Sequence, residues 1–334
     1  MKRLLAPFAS PASARPARAA TAPAVALGLA LALACGLARP AAAHGIALVV
    51  NSAGASISVV DMSSRTELRR IPVLREPHHV ALSPDGRSLL VGDSAGNEML
   101  FLDPGTGAVQ RTLPIADPYQ LGFSPNGRFL TVNGLARNQV DIYDAATMKL
   151  IKRFPLSSMP SHLSYAPDSS MVFVSLQGTD RLAAIDLTHM QVRWDVPVGR
   201  TPAGVLWHDG QVLVADMGAD DVAVVDPVDG HVIRRIHTGR GAHQVVLSPD
   251  GKLIYVNNRV DGTTVALDAR TLEKVRTYRI SGGPDCIDFA PDGDLWITER
   301  WAQKVAVLNP QTGAISTIAV GRSPHGIFLN ARAE

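Results

Sequence analysis

Features that cross-link a chain or hold it in a membrane are scarce in this sequence. Its 334 residues include only two cysteines, Cys35 and Cys286, so we expect no framework of disulfides. Beyond residue 43, no apolar run approaches the roughly 20 residues of a membrane helix, and we expect no integral membrane segment there. The P-loop, the dinucleotide-binding fingerprint and the His-Glu-x-x-His zinc motif are also absent. None of these common motifs therefore points to an enzyme class.

The first 43 residues have the composition of an export signal. Lys2 and Arg3 open the chain, an alanine- and leucine-rich stretch follows at 24–34, and residues 41–43 are small enough for signal cleavage. Lipidation of Cys35 is the alternative, but residues 32–34 match a lipoprotein signal poorly. We therefore predict a signal peptide at 1–43, a mature domain at 44–334, and a periplasmic or secreted location.

The positive charge of the chain is concentrated in that leader. Five of the 32 Lys and Arg residues lie in the first 43 positions, together with no Asp or Glu. The mature chain then carries 27 basic and 30 acidic residues, a net charge of −3. A nucleic-acid-binding domain is typically basic, so we expect no nucleic acid partner. A small molecule or a periplasmic protein is the expected partner of a protein that we expect to be monomeric.

Two sequence landmarks recur in phase along the mature chain. A corner resembling Pro-Asp-Gly ends, at spacings of 41 or 42 residues, at Gly86, Gly127, Ser169, Gly210, Gly251 and Gly293. An acidic or amide residue closes another segment, at spacings of 40 to 42 residues, at Asp61, Asp103, Asp144, Asp186, Asp226, Asp268 and Asn309. A fixed period over seven units predicts a repeat protein.

Each unit has the pattern of four short strands. In the unit that spans 87–127, apolar or alternating segments occur at 88–91, 98–102, 109–113 and 119–123. Turn residues such as Pro104 and Gly107 separate them. Four strands repeated about every 40 residues are typical of the blade of a β-propeller. The predicted fold class is all-β, a single seven-bladed β-propeller domain.

The two ends of the repeat region complement each other. The first unit begins in mid-repeat, with strands expected at 46–51, 56–61 and 67–72, whereas 325–329 opens a unit that never continues. If the C-terminal segment supplies the missing innermost strand, the ring closes and no unpaired sheet edge is left at the seam. An open solenoid would need capping repeats, and none is visible.

Several phrases resemble a known family. The sequences Val256-Asn257-Asn258 and Ser58-Val-Val-Asp61, together with residues 239–251 (GRGAHQVVLSPDG), resemble the YVTN family of seven-bladed propellers. The resemblance covers most of 44–330 and implies the propeller fold with a surface, periplasmic or ligand-binding role. One unit, 295–299 followed by 324–327, resembles instead the repeats of virginiamycin B lyases, which are metal-dependent.

Histidines concentrate where a propeller carries its function. Loops that lead into the innermost strands lie around one mouth of the central channel, and residues that differ between blades there are the functional candidates. Five of the ten histidines fall at these positions: His78, His79, His162, His243 and His325. Three of them, His78, His243 and His325, occupy equivalent positions in the repeat. Together they could bind Zn²⁺ or Cu²⁺, or ligate a haem.

The same mouth carries groups suited to an anionic ligand. Arg259 and Arg300 fall in neighbouring blades beside Asp285 and could hold a carboxylate or phosphate. Tyr119 and the flat ring of Trp301 complete the predicted ligand-binding set. The structural alternative is that these histidines only hydrogen-bond to neighbouring blades and that the arginines are locally paired. Cys286 is expected to be a small buried residue.

Three functions remain compatible with these patterns. The first is a non-catalytic binding or interaction module that holds a ligand or partner at the histidine-rich mouth. The second is a metal-dependent lyase or lactonase, with Glu299 as general base and His243 and His325 as metal ligands. The third is the handling of haem or another redox cofactor for a periplasmic oxidoreductase, by fold analogy with haem d1 propellers.

Overall fold

A computed structural model describes residues 45–331. The predicted signal peptide and His44 lie outside these residues. Seven four-stranded antiparallel sheets form a ring, and the only helical elements described are two single 3₁₀ turns, Ser52–Gly54 and Gln177–Thr179. The all-β, seven-bladed propeller predicted from the repeat is therefore confirmed.

The blades are numbered 1 to 7 from the N-terminus, and their strands are lettered A to D from the channel outward. The A strands are Pro324–Asn330 (blade 1), Pro77–Leu82, Gln120–Phe123, Pro160–Tyr165, Pro202–His208, Ala242–Leu247 and Pro284–Phe289. The B strands are Ile46–Asn51, Leu89–Asp93, Phe129–Gly134, Met171–Leu176, Gln211–Asp216, Leu253–Asn258 and Leu295–Glu299. The C strands are Ser56–Asp61, Glu98–Leu102, Gln139–Asp144, Arg181–Asp186, Asp221–Val225, Thr263–Asp268 and Lys304–Leu308. The D strands are Thr66–Pro72, Val109–Pro114, Leu150–Pro155, Gln191–Pro197, Val232–His237, Lys274–Arg279 and Ile315–Ala319.

Blade 1 joins the two ends of the repeat region. Its B strand, Ile46–Asn51, pairs antiparallel with Pro324–Asn330 on one side and with Ser56–Asp61 on the other. Asn330 lies opposite Ile46 in this register. The closing strand predicted from the unfinished repeat is therefore present and begins one residue earlier than expected.

The core lies between the blades. B and C strands are apolar over most of their length because both faces of each sheet pack against a neighbouring blade. Between blades 1 and 2, for example, Leu48 and Val59 pack with Leu89 and Leu100. The D strands are mostly exposed, and their outer positions carry arginine and lysine, which discourage pairing with other chains.

The A strands begin irregularly. In blades 1, 2, 4, 5, 6 and 7 the register between strands A and B shifts within the first residues of strand A. In blade 2, Pro77 faces Asp93 and Val80 faces Val91, so three residues on one strand oppose two on the other. Such a bulge breaks the strict alternation of side chains. As a result, two consecutive residues, His78 and His79, are both buried at the channel.

Side chains of one blade satisfy backbone groups at the bulge of the next. Asn133 Nδ2 donates to the Ser161 carbonyl at 2.8 Å, and Asn257 Nδ2 donates to the Asp285 carbonyl at 3.0 Å. Thr298 Oγ1 donates to the His325 carbonyl at 2.8 Å. Buried carbonyls need such partners. Asn133 and Asn257, the asparagines of two Val-Asn segments, therefore link neighbouring blades.

Closure by the last strand generates a stability prediction. We expect a chain truncated after Ser323 to fail to fold, because it lacks all of Pro324–Asn330 and exposes the edge of Ile46–Asn51. Circular dichroism and size-exclusion chromatography would measure this. A chain that ends at Ala331 retains the strand and is the control. A soluble, cooperatively unfolding truncation at Ser323 would contradict the prediction.

Candidate functional site

The five predicted mouth histidines form one cluster. The ring centroids of His79 and His325 are 4.4 Å apart, and those of His78 and His325 are 5.1 Å apart. His162 lies 5.0 Å from His79 and 5.1 Å from His243 by the same measure. Each of the five is almost completely buried. Because of the bulges, both the second and the third residue of an A strand can face the channel. The cluster therefore takes histidines from four blades.

Asp285 is the charged centre of this cluster and has no exposed surface. Its Oδ1 accepts a hydrogen bond from Arg259 Nη2 and lies 2.9 Å from His243 Nδ1. Its Oδ2 accepts from Arg300 Nη1 at 3.2 Å and lies 3.7 Å from His325 Nε2. Burial alone would favour the protonated acid, but these surrounding groups hold the pKa of Asp285 well below its usual range. One carboxylate therefore faces two guanidinium cations.

The imidazoles of His79, His162, His243 and His325 are neutral. Burial places the pKa of His79, His162 and His325 well below the usual histidine value. His243 Nε2 accepts a hydrogen bond from Arg259 at 2.7 Å, which requires a neutral ring. Because these rings carry no charge, Arg259, Arg300 and Asp285 together have a net charge of +1 (two guanidinium cations and one carboxylate).

Several ring nitrogens of the histidine cluster lack hydrogen-bond partners. His162 Nδ1 is bonded to Ser161 Oγ at 2.8 Å, which leaves Nε2 buried and unpartnered. His78 Nε2 faces Glu76 Oε1 at 3.3 Å, and its Nδ1 is unpartnered. His79 Nε2 is a third such atom. Unpaired buried polar atoms are rare in folded proteins, so these nitrogens mark a place where a ligand would be stabilised.

A cleft of about 570 Å³ adjoins the cluster. It lies at the mouth between blades 2, 3 and 7 and is lined by Glu76, His78, Ser94, Ala95, Asn97, Asp117, Tyr119, Leu135, Ala136, Arg137 and Arg300. Burial raises the pKa of Tyr119 to about 12, so the phenol stays protonated and can donate a hydrogen bond. Arg300 reaches both this cleft and Asp285.

Two predicted site residues form no hydrogen bond, ion pair or ring contact with the histidine cluster within residues 45–331. Trp301 is 61% exposed at the rim and packs over Gly283. Glu299 is buried, and burial raises its pKa, but within residues 45–331 it forms no hydrogen bond or ion pair with His243 or His325. The role of Glu299 as a general base beside these histidines therefore stays a prediction. Cys286, by contrast, lies in the cluster, with Sγ 4.0 Å from His325 Nδ1.

Glu76 and Asp117 were not predicted at the mouth from the sequence, and Arg137, although a residue of a mouth loop, was not included in the predicted ligand-binding set. They lie on the loops before strand A and after strand B, so their positions in the repeat were the available signal. The nearby string Gly92-Asp-Ser-Ala-Gly96 has the spacing of a serine nucleophile elbow. It lies in a strand–turn–strand hairpin rather than before a helix, and Ser94 Oγ donates to the Glu76 carbonyl at 3.3 Å.

Carboxylates that cap the mouth loops keep the cleft rigid. Asp93 accepts hydrogen bonds from the backbone N–H groups of Arg75 and Glu76, each at 2.8 Å. Asp117 accepts from the N–H groups of Ala136 and Arg137 at 2.6 and 2.9 Å. These hydrogen bonds fix the loops that carry Glu76 and Arg137, so the cleft is largely preformed.

Asp216 of blade 5 pairs with an arginine side chain, whereas Asp93 and Asp117 accept hydrogen bonds from backbone N–H groups. Its Oδ2 lies 3.1 Å from Arg235 Nη1, which also lies 3.1 Å from Asp221 Oδ1. Two carboxylates therefore share one guanidinium. Burial, followed by repulsion from Asp221, raises the pKa of Asp216 to about 8. Asp216 retains its proton at neutral pH.

The fold and the residues at its centre define a class: a β-propeller with a cluster of polar residues at one mouth of its channel. The chain belongs to the YNCE-like beta-propeller family, whose model matches residues 6–334. This agrees with the resemblance to YVTN propellers seen in the sequence. No helix in the described part of the chain is long and apolar enough to span a membrane.

Known relatives give the family further context. The chain is 28% identical over 196 residues to protein NirF of Pseudomonas aeruginosa, covering 54% of this chain and 50% of that protein. It thus spans about half the length of the curated relatives it matches. Its fold is similar to that of a functionally unknown protein from Desulfotomaculum acetoxidans (TM-score 0.75, 13% identity, covering 85% of this chain and 98% of that one). It also resembles the dihydro-heme d1 dehydrogenase NirN in complex with DHE (TM-score 0.66, 15% identity, 89% and 77% covered).

The charge centre predicts a large effect of Asp285→Asn. The variant keeps the shape of the side chain but leaves the partly buried Arg259 and Arg300 without their anion, so we expect it to lower the free energy of unfolding by about 2–4 kcal/mol. Urea denaturation would measure this. Asp261→Asn is the control, because the Asp261–Arg240 pair lies at the surface and its loss should matter far less. Equal destabilisation by both variants would refute this role for Asp285.

Asp216 predicts a specific dependence of stability on pH. Its pKa is higher in the folded than in the unfolded chain, so its contribution to stability is complete below about pH 4 and is lost as the pH rises toward 8. Between pH 5 and 8 we expect the wild type to lose on the order of 2–4 kcal/mol more stability than Asp216→Asn. Urea unfolding at both pH values checks this, with Asp250→Asn, a surface carboxylate, as the control. Parallel pH profiles for wild type and Asp216→Asn would contradict it.

Proposed function

We propose that this protein is an exported binding module that holds a small carboxylate-bearing molecule at the channel mouth, without chemical turnover. The observation that carries the proposal is the position of Arg300. Its guanidinium is anchored on buried Asp285 at 3.2 Å and also lines the adjoining cleft. A cation fixed in this way is oriented before a ligand arrives, which lowers the entropic cost of binding.

The charge balance favours an anionic ligand. Arg259 and Arg300 together exceed the charge of Asp285, and the neutral imidazoles add none. Arg137 brings a further cation to the opposite wall of the cleft. Its contact with Asn97 Oδ1 is long, at 3.4 Å, so its guanidinium retains unused donors. Arginine suits bidentate binding of carboxylates, and two carboxylates on one ligand would match the two walls.

A carboxylate-bearing tetrapyrrole is the ligand class that fits best. The cleft volume of about 570 Å³ lies within the range of small-molecule sites, roughly 300–1,000 Å³. Tyr119 and Leu135 provide apolar wall. His78 also lines the cleft, and its buried, unpartnered Nδ1 could serve as an axial ligand if the ring turns toward the cleft. The name of the fold neighbour NirN supports this class, since that protein is a dehydrogenase of a haem derivative. In this proposal the arginines bind the carboxylates, and His78 orients the macrocycle.

A titration with haemin tests the proposal. We expect the wild type to shift the Soret band of haemin, and Arg137→Ala and Arg300→Ala each to weaken binding by about 10-fold or more, because each removes a charge-assisted contact. Haemin dimethyl ester, which lacks free carboxylates, should bind the wild type more weakly by a similar factor.

Arg240→Ala is the matched control, because Arg240 lies at the surface in an ion pair with Asp261 and does not line the cleft. Arg137 lies outside the Asp285 network, so its variant should fold normally even if Arg300→Ala loses stability. Absence of a Soret shift with the folded wild type, or equal affinity for the ester, would overturn the proposal.

A further inference from the structure

Three groups that the proposed ligand site does not use converge in the channel. His79 comes from blade 2, Cys286 from blade 7 and His325 from the closing strand of blade 1. One ligating atom from each lies within 4.8 Å of the other two. All three residues are buried. Metal–nitrogen and metal–sulfur bonds of about 2.0–2.3 Å require ligand atoms to be slightly closer than this, so small side-chain movements would complete a site.

Two of these three groups, His79 and Cys286, have a donor atom without a close hydrogen-bond partner. His79 Nε2 is buried and forms no hydrogen bond. The Cys286 sulfur has only a long contact, 4.0 Å, with His325 Nδ1. Burial, followed by the charge of Asp285, raises the pKa of the Cys286 thiol well above its usual value. The thiol is therefore protonated in the metal-free protein, and an unreactive, unpaired sulfur faces two imidazoles.

His325 is oriented by its surroundings. It turns Nδ1 toward Cys286 and Nε2 toward Asp285, whose Oδ2 lies 3.7 Å from Nε2. A metal at Nδ1 would replace a long hydrogen bond to the His78 carbonyl, 3.3 Å, and would leave the ring proton on Nε2, facing the carboxylate. A carboxylate behind a histidine ligand is a common arrangement that fixes the ring and increases its basicity.

We propose that His79, Cys286 and His325 bind one Cu⁺ ion. On binding, the Cys286 thiol loses its proton to solvent and the thiolate bonds to copper, with no change in oxidation state. The soft thiolate suits Cu⁺ or Zn²⁺, and imidazole also binds both metals. A metal also deprotonates a coordinating thiol that is otherwise protonated, so the burial of Cys286 does not prevent binding.

Charge distinguishes Cu⁺ from Zn²⁺ at this position. The channel already carries one uncompensated positive charge from Arg259 and Arg300 against Asp285. Cu⁺ with a thiolate adds no net charge, whereas Zn²⁺ with the same thiolate adds a second positive charge in a buried space, which is costly. We therefore expect the site to prefer Cu⁺ although divalent zinc accepts the same donor atoms.

Anaerobic competition with the Cu⁺ chelator bicinchoninate tests the site on the mature protein without added tetrapyrrole. We expect one equivalent of Cu⁺ to bind, with affinity at least about 100-fold lower in Cys286→Ser and in His79→Asn, since each loses a ligand. X-ray absorption of the wild-type complex should show one sulfur neighbour. Zn²⁺ should not displace Cu⁺ at equal concentration.

The control is His231→Ala, which removes the exposed group formed by Asp226, Asp229 and His231 and should leave Cu⁺ affinity unchanged. Should one ligand variant fail to fold, the other still decides the question. Wild-type affinity in folded Cys286→Ser, a spectrum without sulfur, or displacement of Cu⁺ by Zn²⁺ would overturn the proposal. These readouts do not depend on haemin binding, so either proposal can fail alone.

Discussion

The innermost strands of this ring approach one axis so closely that the polar groups they bring there must find partners on other blades. The bulge at the start of these strands makes the demand greater, because it turns two consecutive residues toward the channel and frees backbone groups from the ladder. Asparagine, serine or threonine side chains of a B strand bond the released carbonyls of the next blade. We call the region where the A strands begin around the channel the hub. Polar contacts between blades stabilise the ring at the hub, and apolar layers between the sheets stabilise the rest.

Closeness at the hub is visible in the glycines as well. A methyl group at Gly326 would approach the His78 carbonyl to 2.5 Å, and one at Gly204 would approach the His243 carbonyl to 2.6 Å. No side chain fits at these positions without moving a neighbouring backbone. The same crowding places His325 against His78 and buries Asp285, so the packing that closes the ring also creates the low-dielectric environment in which the charges and imidazoles act.

Function in this molecule resides in the differences between blades. The corners repeat because every blade needs the same turn, and Asn133 and Asn257 of the Val-Asn segments each bond a backbone carbonyl of the next blade. At the hub, the equivalent positions hold His78, Tyr119, Ser161, Ala203, His243, Asp285 and His325. One anion and several imidazoles in a ring with two arginines produce an asymmetric field that a symmetric repeat could not. The cleft opens on the side of Arg300 and Tyr119, and the thiol faces His79 and His325.

The sequence by itself determined the architecture: strand order, blade number and closure by the last strand all follow from period and turn chemistry, which are local. It also identified most of the hub, including His79, His162, Arg259 and Arg300. Only the tertiary structure decided which of these residues meet. Strict alternation on a strand would place His78 and His79 on opposite faces of the sheet. Because of the bulge, both side chains are instead buried at the channel. Trp301 shares the mouth by its position in the repeat but lies exposed at the rim. Distances across the ring depend on packing between blades, which no local pattern encodes.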